Sequence, residues 1–429
     1  VRPAGRPVID AASVRAVDGS RRGRDGASVQ PLADGYSFAA IPGTVQRLLA
    51  GGAGGVPQAA LGSAPSRVER VALVLLDAFG WRFFCRHAER HPLLRRILAD
   101  GAVAKLTTQF PSTTAAHITT LHSGRPVAEH GLYEWNIYEP GLDAIVTPLL
   151  CSFAGDGARD TLVAAGVDLG DLYPRGTLYH RLAELGVGSL AFQPATFTPS
   201  TYDGVLLDGA QLHPYDTLDD GLAALAAALH AHPTPAYAYI YVDKIDAIGH
   251  MHGPSSEAFD AKVERCLDAI EAALPALPAG TLLLLAADHG QVDVDPARTM
   301  YVNELWPDIG EHLRHDAGGR PLAPAGSGRD LFLHTAQDQR DVVIERLREL
   351  LGERAEVHAT ADLVADGIFG DRAPKPRLRE RLGDVCVLPG PGETAWWREQ
   401  GRFEMRFRGH HGGLTPDEAE TVLASLTIE

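Results

Sequence analysis

Three apolar runs in this sequence end on residues of types that can bind metal ions. Residues 71–76 lead into Asp77, residues 237–242 into Asp243 and then Asp246, and residues 281–287 into Asp288 and His289. Carboxylates and imidazoles gathered at one place repel and desolvate one another unless a cation sits among them. Each residue alone also reads as a strand-terminal turn former or a helix cap. Three in the same topological position point instead to a divalent metal centre. Asp246 and His250 stand four apart, so on a helical turn they share a face and can grip one ion. Asp243, three residues earlier, and His252, two residues later, are rival ligands. Residues 409–413 (Gly-His-His-Gly-Gly) offer a further imidazole in a loop that glycine lets approach closely, with His410 and His411 competing for the role.

A nucleophile is suggested by residues 110–117, Phe-Pro-Ser-Thr-Thr-Ala-Ala-His, where a proline-broken loop runs into a stretch at 115–121 that can be helical. A hydroxyl at a helix N-terminus faces unpaired backbone amides and the positive end of the helix dipole, which suits a phosphate. Ser and Thr are also the commonest N-caps, so position alone does not decide the role. A bound cation makes the difference, because it lowers the hydroxyl pKa and yields an alkoxide near neutrality.

Such residues need a frame that brings strand ends together. Runs at 71–76, 103–106, 187–192, 236–242 and 281–287 read as strands, the continuous apolar ones buried on both faces. Helical stretches fall at 81–98, 178–185, 218–230 and 256–274. The alternation predicts an α/β fold, a doubly wound, mostly parallel sheet flanked by helices, in which ligands bind beyond the carboxyl ends of the strands. Residues 1–66 read as an irregular N-terminal arm with one short helix at 44–49. Residues 67–300 and 402–429 are expected to form the α/β core that carries these residues. Residues 301–401 are punctuated by Gly and Pro and read as a small cap-like insertion, with strands at 330–334 and 384–388 and a helix at 340–351. A last helix is expected after Thr415-Pro416, where Thr is a natural N-cap.

Composition limits the partners. The chain has 429 residues, 45% hydrophobic and 22% charged, with 39 basic against 55 acidic side chains and a net charge of −16. That field repels a nucleic-acid polymer unless a basic groove overrides it, and the Arg-rich stretches at 21–24 and 372–381 are broken by Gly, Pro or acids. A small phosphorylated substrate is expected, with metal ions supplying positive charge. No apolar run is long enough to cross a membrane. Four cysteines without a CxxC pair, and no secretory pattern from Val1 onward, set the expectation of a cytoplasmic protein, with a trimmed leader as the alternative.

Taken together, these motifs resemble the alkaline phosphatase superfamily, and within it the nucleotide pyrophosphatase/phosphodiesterase branch. That branch carries a strand-end Asp, a P-x-x-T loop, a D-x-x-G-H-x-x-G-P segment, an Asp-His pair after a strand and a late G-x-H-G. This chain has, in the same order, Asp77; Pro111 to Thr114; Asp246, Gly249, His250, Gly253 and Pro254; Asp288 and His289; and Gly409, His411 and Gly412. The resemblance runs from about residue 70 to the C-terminus and is loose over 301–400. It implies one zinc on Asp246, His250 and His411, a second on Asp77, Asp288 and His289, and Thr114 bridging them, with manganese as the alternative metal. It further implies attack by Thr114, departure of an alcohol or nucleotide, and hydrolysis of a phospho-threonine. Asp243 and His410 become supporting residues around the ligands.

One position departs from that pattern. Where the family often has Asn three residues after the nucleophile, this chain has His117, which weakens a reading as a nucleotide diesterase. His117 either contacts a phosphoryl oxygen or packs within the helix and leaves that contact to the Ala115 amide. Phe79, Trp135 and Tyr138 are candidates for substrate contact and equally read as packing residues. The competing activities are a phosphomonoesterase or a phosphonate hydrolase of the same superfamily. A non-catalytic metal-binding protein retaining the fold is the reading from another class. It expects a missing ligand, and none of the six is missing.

Overall fold

A computed structural model of the chain describes residues 9–170, 172–371 and 373–429, with the Arg24 side chain left aside. The first eight residues of the expected arm and Arg372 of the second Arg-rich stretch lie outside the described residues. The central sheet has seven strands in the order Ala102–Thr107, Glu420–Thr427, Leu282–Ala286, Arg70–Leu76, Ala236–Val242, Gly188–Pro194 and Gln211–Tyr215. All pairings are parallel except those of Glu420–Thr427, which runs antiparallel to both neighbours.

The apolar runs are strands for the reason their composition gives. Along Arg70–Leu76, Val71, Leu73 and Leu75 face one core while Ala72, Val74 and Leu76 face the other. A strand covered by helices on both sides has no polar face to show, so its sequence is apolar throughout. Pairing Leu76 with Val242 and Leu75 with Ala286 sets Asp77, Asp243 and Asp288 just past one sheet edge.

Three local expectations differ from the structure. The helical stretch at 81–98 is two helices, Trp81–His87 and Pro92–Asp100. Pro92 cannot continue a helix but starts one well, and the His91 side chain accepts from the Leu93 amide as its cap. After Thr415 the helix is one turn, Pro416–Ala419, and the chain then enters the sheet as Glu420–Thr427. Its mixed Val, Leu, Ala and Ser content suits either state, and the slot between two strands decides it. Within the described part of the arm, Ala11–Gly19 and Ile41–Ala50 are helices. The first is capped by Asp10 and tied to the edge strand by Asp10 N–H to Val103 O and Lys105 N–H to Ser13 Oγ, tertiary contacts that weak periodicity conceals.

A second sheet, ordered Ala325–Ser327, Asp330–Leu333, Val385–Pro389 and Ala355–Ala359, is antiparallel and packs on the helix Arg340–Leu351 around its own apolar cluster. Among the described residues no helix is long and apolar enough to cross a membrane.

Candidate active site

The carboxyl ends of the parallel strands deliver the ligands. Asp77 ends its strand at a turn where Ala78 adopts a left-handed φ of 63°, uncommon for a residue with a side chain, and the Ala78 amide donates to Asp288 Oδ1 at 3.1 Å. Asp246 and His250 lie one turn apart on the helix Lys244–His252, with His250 Nε2 3.3 Å from Asp246 Oδ2. The glycines beside them are required by packing. A methyl on Gly249 would lie 1.8 Å from Gln291 Oε1, and one on Gly409 would lie 2.4 Å from Gly249 O. That closeness lets the 409–413 loop carry His411 to 3.6 Å from Asp246 Oδ1.

Two ligand groups result, Asp246 with His250 and His411, and Asp77 with Asp246 and His289. Asp288 joins the second through Oδ2, 3.4 Å from His289 Nε2, which is itself 3.4 Å from Asp77 Oδ1. The three imidazoles are oriented alike. Nδ1 of His250 donates to Gly409 O at 2.7 Å, that of His289 to Gly290 O at 2.9 Å and that of His411 to Ser112 O at 3.0 Å. A carbonyl only accepts, so each Nδ1 carries the proton and each Nε2 lone pair faces the site.

Thr114 opens the helix Thr114–Ser123, its Oγ1 3.1 Å from His289 Nε2 and 3.4 Å from each Asp77 oxygen. It is half-buried, whereas Asp77, Asp288 and His289 are buried. The first amides of this helix have no partner within it and are available to an anion.

The electrostatics suit bound cations. Burial, reinforced by the charges of Asp288 and Asp246, holds the Asp77 carboxyl well above its usual range, and burial raises Asp288 as well. Burial also pushes Asp246 upward, but the imidazoles of His250, His411 and His289 together outweigh it and bring its carboxyl down. Asp288 Oδ2 is buried without a hydrogen-bond partner. Clustered acids, an orphaned carboxylate oxygen and three inward lone pairs fit two divalent ions with mixed oxygen and nitrogen ligands.

The rival ligands stand aside. Asp243 pairs with Lys244 at 3.0 Å, and His252 is exposed. His410 turns Nδ1 to the His411 carbonyl, and burial pushes it down to about 3. Of the two readings of His117, the geometry favours packing within the fold over a phosphoryl contact. Its Nδ1 meets Thr113 O at 2.7 Å and its Nε2 accepts the Gln109 amide at 2.9 Å, so both nitrogens are committed to backbone and the ring is a buried, neutral brace. Phe79 is fully buried in the core, and Tyr138 is held between Asp143 and Arg314, so neither is placed as a substrate contact. Trp135, 43% exposed, remains accessible.

Other residues were missed. Tyr241 donates from its hydroxyl to Asp77 Oδ2, and Gln291 donates to Asp246 Oδ1 at 2.9 Å. Phe407, 44% exposed, lays its ring 4.5 Å from that of His250. A period-two reading of residues 236–242 could have turned Tyr241 toward the helix Thr114–Ser123; nothing in the sequence marked Phe407.

Comparison with known proteins bears on the fold and the family. No curated protein sequence matches the chain. Solved structures of ectonucleotide pyrophosphatase/phosphodiesterase 5 share its fold. For an inactive murine form in complex with AMP the TM-score is 0.62 at 16% identity, covering 83% of this chain and 87% of that one. For the human protein the TM-score is 0.60 at 16% identity, with 83% and 87% covered. A family model, type I phosphodiesterase/nucleotide pyrophosphatase, matches residues 71–414. The chain belongs to the type I phosphodiesterase/nucleotide pyrophosphatase family and is a metal-dependent hydrolase of that type.

Proposed function

We propose that this protein hydrolyses small phosphodiesters or nucleotide pyrophosphates by way of a phospho-threonine on Thr114, with two zinc ions. The carrying observation is the Thr114 hydroxyl at a helix N-terminus, 3.1 Å from His289 and 3.4 Å from Asp77. Asp246, His250 and His411 would hold one ion and Asp77, Asp288 and His289 the other; manganese suits the same mixed ligands. When bound, the two ions lower the Thr114 hydroxyl pKa and offset charge on the phosphoryl oxygens.

Thr114 Oγ1 gives its proton to solvent and bonds to phosphorus as the bond to the leaving oxygen breaks; that oxygen keeps the electron pair and takes a proton from water. The first amides of the helix hold a phosphoryl oxygen in place of His117. Water then attacks phosphorus from the opposite side, restoring the Thr114 hydroxyl and releasing a phosphate monoester. Tyr241 and Gln291 keep Asp77 and Asp246 oriented throughout. Phe407, exposed and with its ring 4.5 Å from that of His250, is an aromatic residue a leaving group can meet, and the exposed Trp135 is a further candidate. AMP bound to the murine relative supports a nucleotide-sized substrate.

Zinc-loaded protein should cleave bis-p-nitrophenyl phosphate faster than p-nitrophenyl phosphate, lose the activity to chelator and regain it with zinc. Preference for the monoester would overturn the substrate class, and activity in metal-stripped protein would overturn the mechanism.

A further inference from the structure

A row of rings crosses the site, with the nucleophile at one end. Thr114 Oγ1 lies 3.1 Å from Nε2 of His289, whose ring stacks on that of His411 with centroids 3.7 Å apart and planes 15° from parallel. The His411 ring is 5.1 Å from that of His250, and the His250 ring is 4.5 Å from that of Phe407. Phe407 therefore ends the row, and it is 44% exposed where the three imidazoles are buried or half-buried.

Single apolar side chains reach solvent on any protein surface. Phe407 differs in being held in place against a candidate ligand. Two residues before it, Met405 is buried in the apolar cluster of the second sheet, and its amide donates to the Tyr301 hydroxyl at 2.9 Å. One residue after it, the Arg408 amide donates to the His250 carbonyl, and the Arg408 carbonyl accepts from the Val294 amide, both at 2.8 Å. The backbone is thus fixed on either side of the ring, while much of the ring stays open to solvent.

An in-line displacement puts the leaving oxygen on the side of phosphorus opposite the attacking one. Attack by Thr114, beside His289 and Asp77, therefore sends the leaving group toward the other end of the row, past His411 and His250 to Phe407. An aromatic ring gives a planar group an offset-stacked or edge-on contact worth more than the apolar area it buries, and gives a small alkyl group area alone. We infer that Phe407 selects the leaving group, favouring planar aromatic groups on the departing oxygen over alkyl ones. The inference rests on the phosphodiester reading above and deepens it by naming the side of the substrate on which an aromatic group is recognised. Phe407 holds the departing group and moves no proton, so its removal raises KM ahead of any change in kcat.

Two methyl phosphodiesters test it, one with a p-nitrophenyl leaving group and one with a trifluoroethyl group, which is activated but has no ring. Turnover by zinc-loaded protein is followed by absorbance and by fluorine NMR. Binding is measured by calorimetry on zinc-loaded Thr114→Ala, with and without Phe407→Ala. Phe407→Ala should lower the aryl-to-alkyl ratio of kcat/KM about tenfold, and the same ratio of affinities in the Thr114→Ala protein, with zinc content kept. Phe407→Trp should restore both ratios. Ratios unmoved by Phe407→Ala would overturn the inference. So would an equal loss on both diesters together with loss of zinc, which would make the ring a brace for His250. Should wild type turn over neither diester, the phosphodiester reading fails on its own, and the affinity ratio still decides whether Phe407 holds the aromatic group.

Discussion

At the scale of single residues, the centre depends on groups that never touch substrate. His250, His289 and His411 aim Nε2 inward because each Nδ1–H is already given to a backbone carbonyl, and Asp77 is steadied by the Tyr241 hydroxyl. Partners of this kind change metal affinity by about 10–100-fold when removed. Tyr241→Phe should therefore weaken metal retention by that order in competition with a chelator while the fold stays intact; unchanged retention would show that the hydroxyl does not tune Asp77. The candidate ligands were legible as a set, because acids and histidines at strand ends have few other reasons to recur. Tyr241 and Gln291 were not, because an aromatic residue in a strand and an amide after Asp-His look like ordinary packing. His117 misled for a related reason. Its type suggested chemistry, and only the two backbone bonds to its ring show a brace.

At the scale of elements, the helix Thr114–Ser123 is unusual in being buried along nearly its whole length, histidines included. Burial pushes His122 down to about 3, with its ring against Tyr179. Its folded pKa lies below the ordinary value near 6.5, so below that pH the unfolded chain takes up a proton that the folded chain refuses. The stability this neutral ring contributes is complete above about pH 6.5 and is lost as pH falls toward 3. Glu134, raised by burial to about 7, acts in the opposite sense and offsets part of the slope. Replacing His122 with Gln should flatten the fall in unfolding free energy between about pH 6.5 and 4.5, by up to about 1.4 kcal/mol per pH unit, read from denaturant titrations at each pH. Parallel wild-type and variant profiles would contradict the assignment. Elements were legible where length and composition agreed, as at Ala236–Val242 and Arg340–Leu351. Glu420–Thr427 was not, because an antiparallel strand closing a parallel sheet is chosen by the partners on either side of it.

For the whole molecule, the second sheet and the sheet carrying the ligands are joined by buried charge. Arg329, just before Asp330, and Glu418, just before the last strand, form a two-pronged pair with both side chains fully buried. Glu418 also accepts from the Gly413 amide and the Thr415 hydroxyl, which fixes the loop after His411. Removing one partner of such a pair leaves an uncompensated buried charge, at a cost of about 3–5 kcal/mol. Arg329→Met should lower unfolding free energy by that amount in denaturant titration and loosen metal binding with it; a loss below about 1 kcal/mol would mean the pair is not a joint. Nothing in the sequence paired Arg329 with Glu418, since 89 residues separate them.

The central claim is that Thr114 forms the bond to phosphorus. Acid quench of zinc-loaded protein during turnover of bis-p-nitrophenyl phosphate, followed by peptide mass spectrometry, tests it directly. The account predicts a nitrophenyl-phosphate adduct on Thr114, absent from Thr114→Ala, which should keep its metal and lose turnover. An adduct on another side chain, or full turnover by Thr114→Ala, would contradict it.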